Sequence, residues 1–371
     1  MEGMDITPEQ YEELQKALKQ KSTLDDGDSP ESVQARVRQL VASSHVLTTL
    51  VQLLKYTTTR SQNVVEMATL SALHAAECAD VRGKLVQRGV FQALIPLSLH
   101  SSSTPSSSSE TPRRPHAGTA ISNAAGQAMA KILISTNPNL VPSSSLFSSI
   151  KSLLELCKGD SQLLQFEALM ALTNIASVSD ETKNRIVTEP QSLSTLQYLQ
   201  FSEHELVRRA ATETICNLLP NEQIIEKIFL NDEKMRLWLA LASVEEEAED
   251  FETARAAAGA LAMVSQVPQV SWLMMQQGAL DAFVRVLEIS THEETLHRAL
   301  FALENMLLTL HESHEPEKAD EKAALLQVAQ KHRATVMKRM KDVLVGSAFS
   351  APTQEAAQSC LGAFVQCVGK Q

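Results

Sequence analysis

The sequence predicts an all-α chain folded as an armadillo/HEAT-like right-handed α-solenoid of about six to seven repeats. Three observations carry that prediction. The chain has 371 residues, more than one ordinary globular core encloses, so it must divide or grow by repetition. Its core is aliphatic: 44% of residues are hydrophobic but only 4% are aromatic, and Gly numbers just 12, as expected of stacked helices. One helical pattern also returns at a nearly constant interval.

The interval is found by register. NAAGQAMAKIL, FEALMALTNIAS, RRAATETICNLL, RAAAGALAMVS and RALFALENMLL share a helix-period apolar stripe with small residues and a polar position near the end. With Asn174 as reference, the equivalent positions are Lys131, Asn217, Met263 and Asn305, and the steps are 43, 43, 46 and 42 residues. The armadillo and HEAT period is ~40 to 47 residues. An earlier copy, ATLSALHAAECAD, places Ala75 at the same position, and a last copy lies around AAQSCLGAFVQ.

In chain order, residues 1–22 read as an N-terminal capping helix, with Thr7 as N-cap, Pro8 at the first position and Gln10 completing a capping box. Residues 23–33 read as a polar linker and 34–371 as the repeat domain. A disordered Ser-rich loop at 101–118 accounts for the long first interval. Shorter apolar segments precede the long helices, as in GVFQALIPLSL from Gly89, SLSTLQYLQF from Ser192 and GALDAFVRVLEI from Gly278; the leading Gly or Ser marks the reversal of the chain. The acidic run Glu245, Glu246, Glu247, Glu249, Asp250 and Glu252 precedes a helix starting near Phe251, whose positive end it would favour.

A formal net charge of −11 argues against nucleic acid, which is bound by Lys and Arg that displace counterions. The five cysteines are scattered without C-x-x-C spacing, so no disulfide framework or zinc site is indicated. No apolar run approaches the ~20 residues a bilayer requires, and the acidic start MEGMDITPEQ does not read as a secretory signal, so a cytoplasmic chain with no membrane partner is expected. Phosphate-loop, dinucleotide and nucleophile-elbow motifs are absent from the sequence. His292, Glu293 and His297 miss the zinc-protease spacing by one residue, so no enzyme, cofactor or metal is expected.

The segments Glu167 to Val187, His204 to Leu219 and Ala254 to Ser265 resemble, in order and spacing, the C-terminal armadillo region of the UCS family of myosin-directed chaperones. The resemblance implies a partner, the myosin motor domain, and promotion or protection of its fold. A heat-shock chaperone is implied as an indirect partner, because no tetratricopeptide repeat of about 34 residues appears in this sequence.

The long helices of such a stack line a concave groove. Asn at the reference position (Asn174, Asn217, Asn305) carries a donor and an acceptor on one short side chain. It can grip the backbone of an extended client or bond to neighbouring backbone in its own stack, and both readings stand. Glu167, Arg208, Arg209, Glu213, Arg255, Gly259 and Arg298 fall one or two turns earlier, as groove-lining client contacts or ordinary inter-repeat ion pairs. Gly259, set in an Ala run, marks close approach, by a neighbouring helix or by a client. The expected function is a myosin-binding chaperone or assembly factor. The alternatives are a generic armadillo adaptor and an armadillo-type nucleotide-exchange co-chaperone of a heat-shock ATPase.

Overall fold

The computed structural model describes residues 30–55, 61–99, 117–243, 250–346 and 349–369. The expected capping helix at 1–22 lies outside them, as do most of the linker, most of the Ser-rich segment and Glu245 to Glu249. Among the described residues the regular structure is helical throughout, and it divides into two compact units, up to Leu199 and from Gln200.

The first unit holds α1 (Pro30–Ala42), α2 (Ser44–Lys55), α3 (Gln62–Glu77), α4 (Ala79–Gln87), α5 (Val90–Ser98) and α6 (Ala117–Ser135). A 3-10 turn at Pro138–Leu140 then leads to α7 (Ser143–Lys158), α8 (Gln162–Ala176), α9 (Asp180–Thr188) and α10 (Ser192–Leu199). Helix α1 begins at Pro30, inside the expected linker, with proline at the position where a missing N–H is harmless. Helix α6 likewise begins at Ala117, inside the expected loop.

The second unit holds α11 (Glu205–Leu218), α12 (Glu222–Ile224) running into a π turn at Ile225–Phe229, α13 (Asp232–Ala242), α14 (Phe251–Val264), α15 (Pro268–Gln276), α16 (Ala279–Ile289) and α17 (Glu293–Glu312). After a 3-10 turn at Pro316–Lys318 come α18 (Ala319–Lys331), α19 (Arg333–Val345) and α20 (Ala351–Val368). The last copy read in the sequence is α20, which packs along α17.

Two kinds of helix build each unit. The outer helices are amphipathic: on α16 the buried set Leu280, Phe283, Val284 and Leu287 follows i, i+3, i+4, i+7. Long helices are covered on more sides. Helix α8 packs on both α6 and α7, and α14 on α11, α13 and α17. Only small side chains let backbones close in from several directions, which is why Ala168 and Ala171 of α8, and Ala254, Ala257 and Ala258 of α14, are buried. Local caps fix the starts: the Ser179 hydroxyl accepts from the Thr182 amide at α9, and the Asn231 side chain from the Lys234 amide at α13.

The reversals predicted at Gly89 and Gly278 are left-handed, with φ of 82° and 89°. The corresponding reversal before α10 is made by Gln191, at φ 63°, where a Cβ is disfavoured. Gly278→Ala should therefore lower stability by about 1 kcal/mol, whereas Gln191→Gly should raise it by a few tenths to about 1 kcal/mol. Urea unfolding of both variants checks the opposite signs.

Candidate functional site

At three of the Asn positions, Lys131, Asn174 and Asn305, the side chain ties consecutive long helices together. In the first unit the Asn174 amide nitrogen, on α8, donates to the carbonyl of Leu133 (2.5 Å) and, more weakly, to that of Thr136 (3.4 Å), at the end of α6. Those carbonyls face the seam, where a helix end lacks partners of its own. Glu167, expected from the sequence to line an open groove, is instead buried, 7% exposed, and accepts from Lys131 Nζ at 2.6 Å and Gln127 Nε2 at 2.9 Å. Burial is tolerable because a cation and an amide both satisfy the carboxylate. Lys131 at the Asn position thus breaks the series by answering Glu167 of the next long helix.

In the second unit Asn305 donates to the Ser265 hydroxyl at 2.9 Å, tying α17 to the end of α14. Asn217 stands exposed on α11. Arg208 is corrected from a groove residue to a fastener: its Nε meets Asp250 at 2.6 Å, while Nη1 donates to the carbonyls of Ser202 (2.7 Å) and Glu203 (2.9 Å).

Arg209, Glu213, Arg255 and Arg298 join Glu252 and Glu294 in one alternating chain across α11, α14 and α17. Arg209 bonds Glu213 at 2.8 Å and reaches Glu252 at 3.5 Å; Arg255 holds Glu252 at 2.7 Å and Glu294 at 2.6 Å; Arg298 closes the chain on Glu294. Arg298 also donates to the Arg255 carbonyl at 2.6 Å, its guanidinium lying against Gly259. A Cβ at 259 would stand 3.2 Å from Cζ of Arg298, so the close approach that the glycine marks is made by this arginine.

The chain of charges shows in the protonation equilibria. The hydrogen bond from Arg255 holds the Glu252 carboxyl below its ordinary value, and the same bond raises Arg255. Burial pushes Glu294 up, but its bond to Arg255 and the charges of Arg298 and Arg255 together outweigh this and leave it lowered. Glu252 and Glu294 were not singled out as site residues by sequence reasoning. The signal for them was the repeat itself, since Arg255 and Glu294 stand 39 residues apart, close to one period.

Beyond the charges the face turns apolar. Ala256 and Gly259 of α14 and Phe301 of α17 are partly exposed, and Met263, where the Asn series is interrupted, is 49% exposed. An open cleft of about 460 Å³ adjoins the start of α17, lined by His292, Glu293, Glu294, His297, Ser350, Pro352 and Thr353. Among the described residues no group of three or more His, Cys, Asp or Glu is arranged to hold a metal ion, and no helix is long and apolar enough to cross a membrane.

No family model matches the chain. It is 28% identical over 287 residues to Protein unc-45 homolog B of Danio rerio, which covers 76% of this chain and 28% of that protein. The chain thus spans little more than a quarter of that curated relative's length. Among solved structures it is similar to UNC-45 from Drosophila melanogaster, with a TM-score of 0.70 and 25% identity over 98% of this chain and 42% of that one. It shares the fold of the myosin chaperone UNC-45 from C. elegans, solved in complex with a Hsp90 peptide, at a TM-score of 0.70 and 22% identity over 91% of this chain and 33% of that one.

Two outcomes follow from this geometry. Asn174→Ala leaves the seam carbonyls of α6 without their amide donor and should cost about 1 to 2 kcal/mol, which thermal unfolding against the parent checks. The second concerns acid. Because Glu252 and Glu294 lie below their ordinary 4.5 when folded, their contribution is whole above that pH and is lost as pH falls through the folded values. The Glu252→Gln/Glu294→Gln variant should therefore show a shallower loss of melting temperature below about pH 4.5 than the parent.

Proposed function

We propose that this chain, a relative of the UCS-type UNC-45 proteins, is a myosin-directed chaperone or assembly module that holds a myosin motor domain and promotes its folding or stability. The observation that carries this reading is the sequence relationship to UNC-45 homolog B over 76% of the chain, on a fold shared with a solved myosin chaperone. The client-binding face is the exposed side of α11, α14 and α17, where Arg209, Glu213, Asn217, Arg255, Gly259 and Arg298 stand in line.

The action proposed is binding without turnover. A protein that binds the folded motor domain and not its unfolded chain shifts the balance toward the fold by mass action, by about 2.7 kcal/mol when present at 100 times the Kd. This needs a broad, preorganised face and no catalytic residue. Its setting is the cytoplasm, beside actomyosin. A heat-shock chaperone is proposed as an indirect partner; C. elegans UNC-45, of which this chain covers 33%, was solved in complex with a Hsp90 peptide.

The test is heat-induced light scattering of a purified motor domain without nucleotide, beside a pull-down. The parent chain should suppress aggregation and retain the motor domain. Arg209→Glu, which sets a fourth carboxylate on the face against two guanidiniums, should weaken capture at least about threefold, a loss of about 0.7 kcal/mol, while circular dichroism shows the chain still folded. Absence of capture by the parent would sink the myosin reading. Faster ADP release from a heat-shock ATPase would point to an exchange factor, and neither activity to an adaptor.

A further inference from the structure

The chain of charges across the second unit constrains what the face can take. Arg209, Glu213, Glu252, Arg255, Glu294 and Arg298 each have an opposite charge within 3.5 Å, and the three cations balance the three anions. Two of them are further restrained: Arg298 by the Arg255 carbonyl and the notch over Gly259, and Arg255 by two carboxylates at once. An incoming lysine, arginine or carboxylate would have to break a pair already made, and would face an equal number of like charges. Past the Arg298 guanidinium and Gly259 beneath it, the surface is Met263 of α14 and Phe301 of α17. There Met263 leaves about half of its side chain to solvent at a position that carries Asn on three of the other long helices.

We infer that the segment this face takes from its client is an uncharged, apolar stretch seated on Met263 beside the neutralised ladder, and that its recognition is largely independent of salt. The inference rests on the client-binding face proposed above and names the chemistry of what occupies it. Methionine suits the task because its flexible, polarisable side chain adapts to different apolar shapes. The flanking ion pairs exclude charged competitors, so selectivity comes from the penalty on the wrong segment as much as from attraction of the right one.

The experiment uses the full chain and a fluorescein-labelled peptide of about 15 residues that alternates Leu or Val with Ser and Asn. Two further peptides carry Lys or Glu in place of the Ser and Asn. Anisotropy at about 50 and about 500 mM NaCl should show the uncharged peptide bound best, its affinity changing by less than about twofold across a range that strongly screens exposed charges. Met263→Lys should weaken it at least about tenfold, and Met263→Ser, which adds no charge, at least about threefold, both at unchanged melting temperature.

Preference for either charged peptide, a steep loss of affinity with salt, indifference to both Met263 variants, or no peptide bound at all would each overturn the inference. The client assignment fails separately. A motor domain captured with strong salt dependence overturns the present inference and leaves the myosin reading in place. A motor domain ignored while the uncharged peptide is held on Met263 does the reverse.

Discussion

Everything in this fold depends on how a long helix is buried between neighbours that are themselves helices. A helix packed on several sides cannot rely on one apolar stripe, and the chain answers with alanine: Ala168 and Ala171 on α8, Ala210 and Ala211 on α11, Ala257 and Ala258 on α14, and Ala299 and Ala302 on α17 are all essentially inaccessible. Close approach of backbones creates a second demand. Carbonyls near a helix end, as at Ala76 and Leu133, lack an intrahelical partner and take a donor from another helix, while mid-helix carbonyls at Arg255 and Ala256 accept a second bond. Arg82 gives one to Ala76, Asn174 to Leu133, Cys216 to Ala256 and Arg298 to Arg255. The donors differ in chemistry, but each crosses from one helix to the backbone of another.

That demand explains why the Asn position is both conspicuous in the sequence and misleading about function. The period and the register were legible because small and apolar residues must recur wherever a long helix is buried, whatever the chain does. The roles of Asn174 and Asn305 were not legible, because an amide that grips a client and one that grips the adjoining helix have the same spacing. What separates them is the neighbour's distance, 2.5 Å to Leu133 and 2.9 Å to Ser265. The reversals at Gly89 and Gly278 could be read directly, since a left-handed turn selects glycine. The one at Gln191 could not, because its residue type gives no sign of the conformation it adopts.

The ion-pair chain shows the same limit from another side. Arg209, Glu213, Arg255 and Arg298 could be placed on one side of their helices by period alone, but a single helix cannot show that Glu252 and Glu294 are shared between arginines of different repeats. Pairs of this exposure contribute little individually, under about 1 kcal/mol. Five pairs in one open alternation of six charges do something that the sum of pairs does not describe. They fix the register of α11, α14 and α17 and cancel the field over the face, while the chain as a whole carries a net charge of −11.

A face that is neutral by internal pairing differs from one that simply lacks charge. A purely apolar strip of similar size would invite association with any sticky surface, including a second copy of the chain. An unpaired charged strip would hold water tightly and favour oppositely charged partners. Setting Met263 and Phe301 beside paired charges keeps the rim hydrated, limits the apolar area and leaves one adaptable side chain at the break in the Asn series. The physical logic therefore runs from the seam to the surface: helices close enough to need alanine and cross-helix donors are also close enough for arginine and glutamate of successive repeats to pair. Once they have paired, what the face has left to offer a partner is apolar contact.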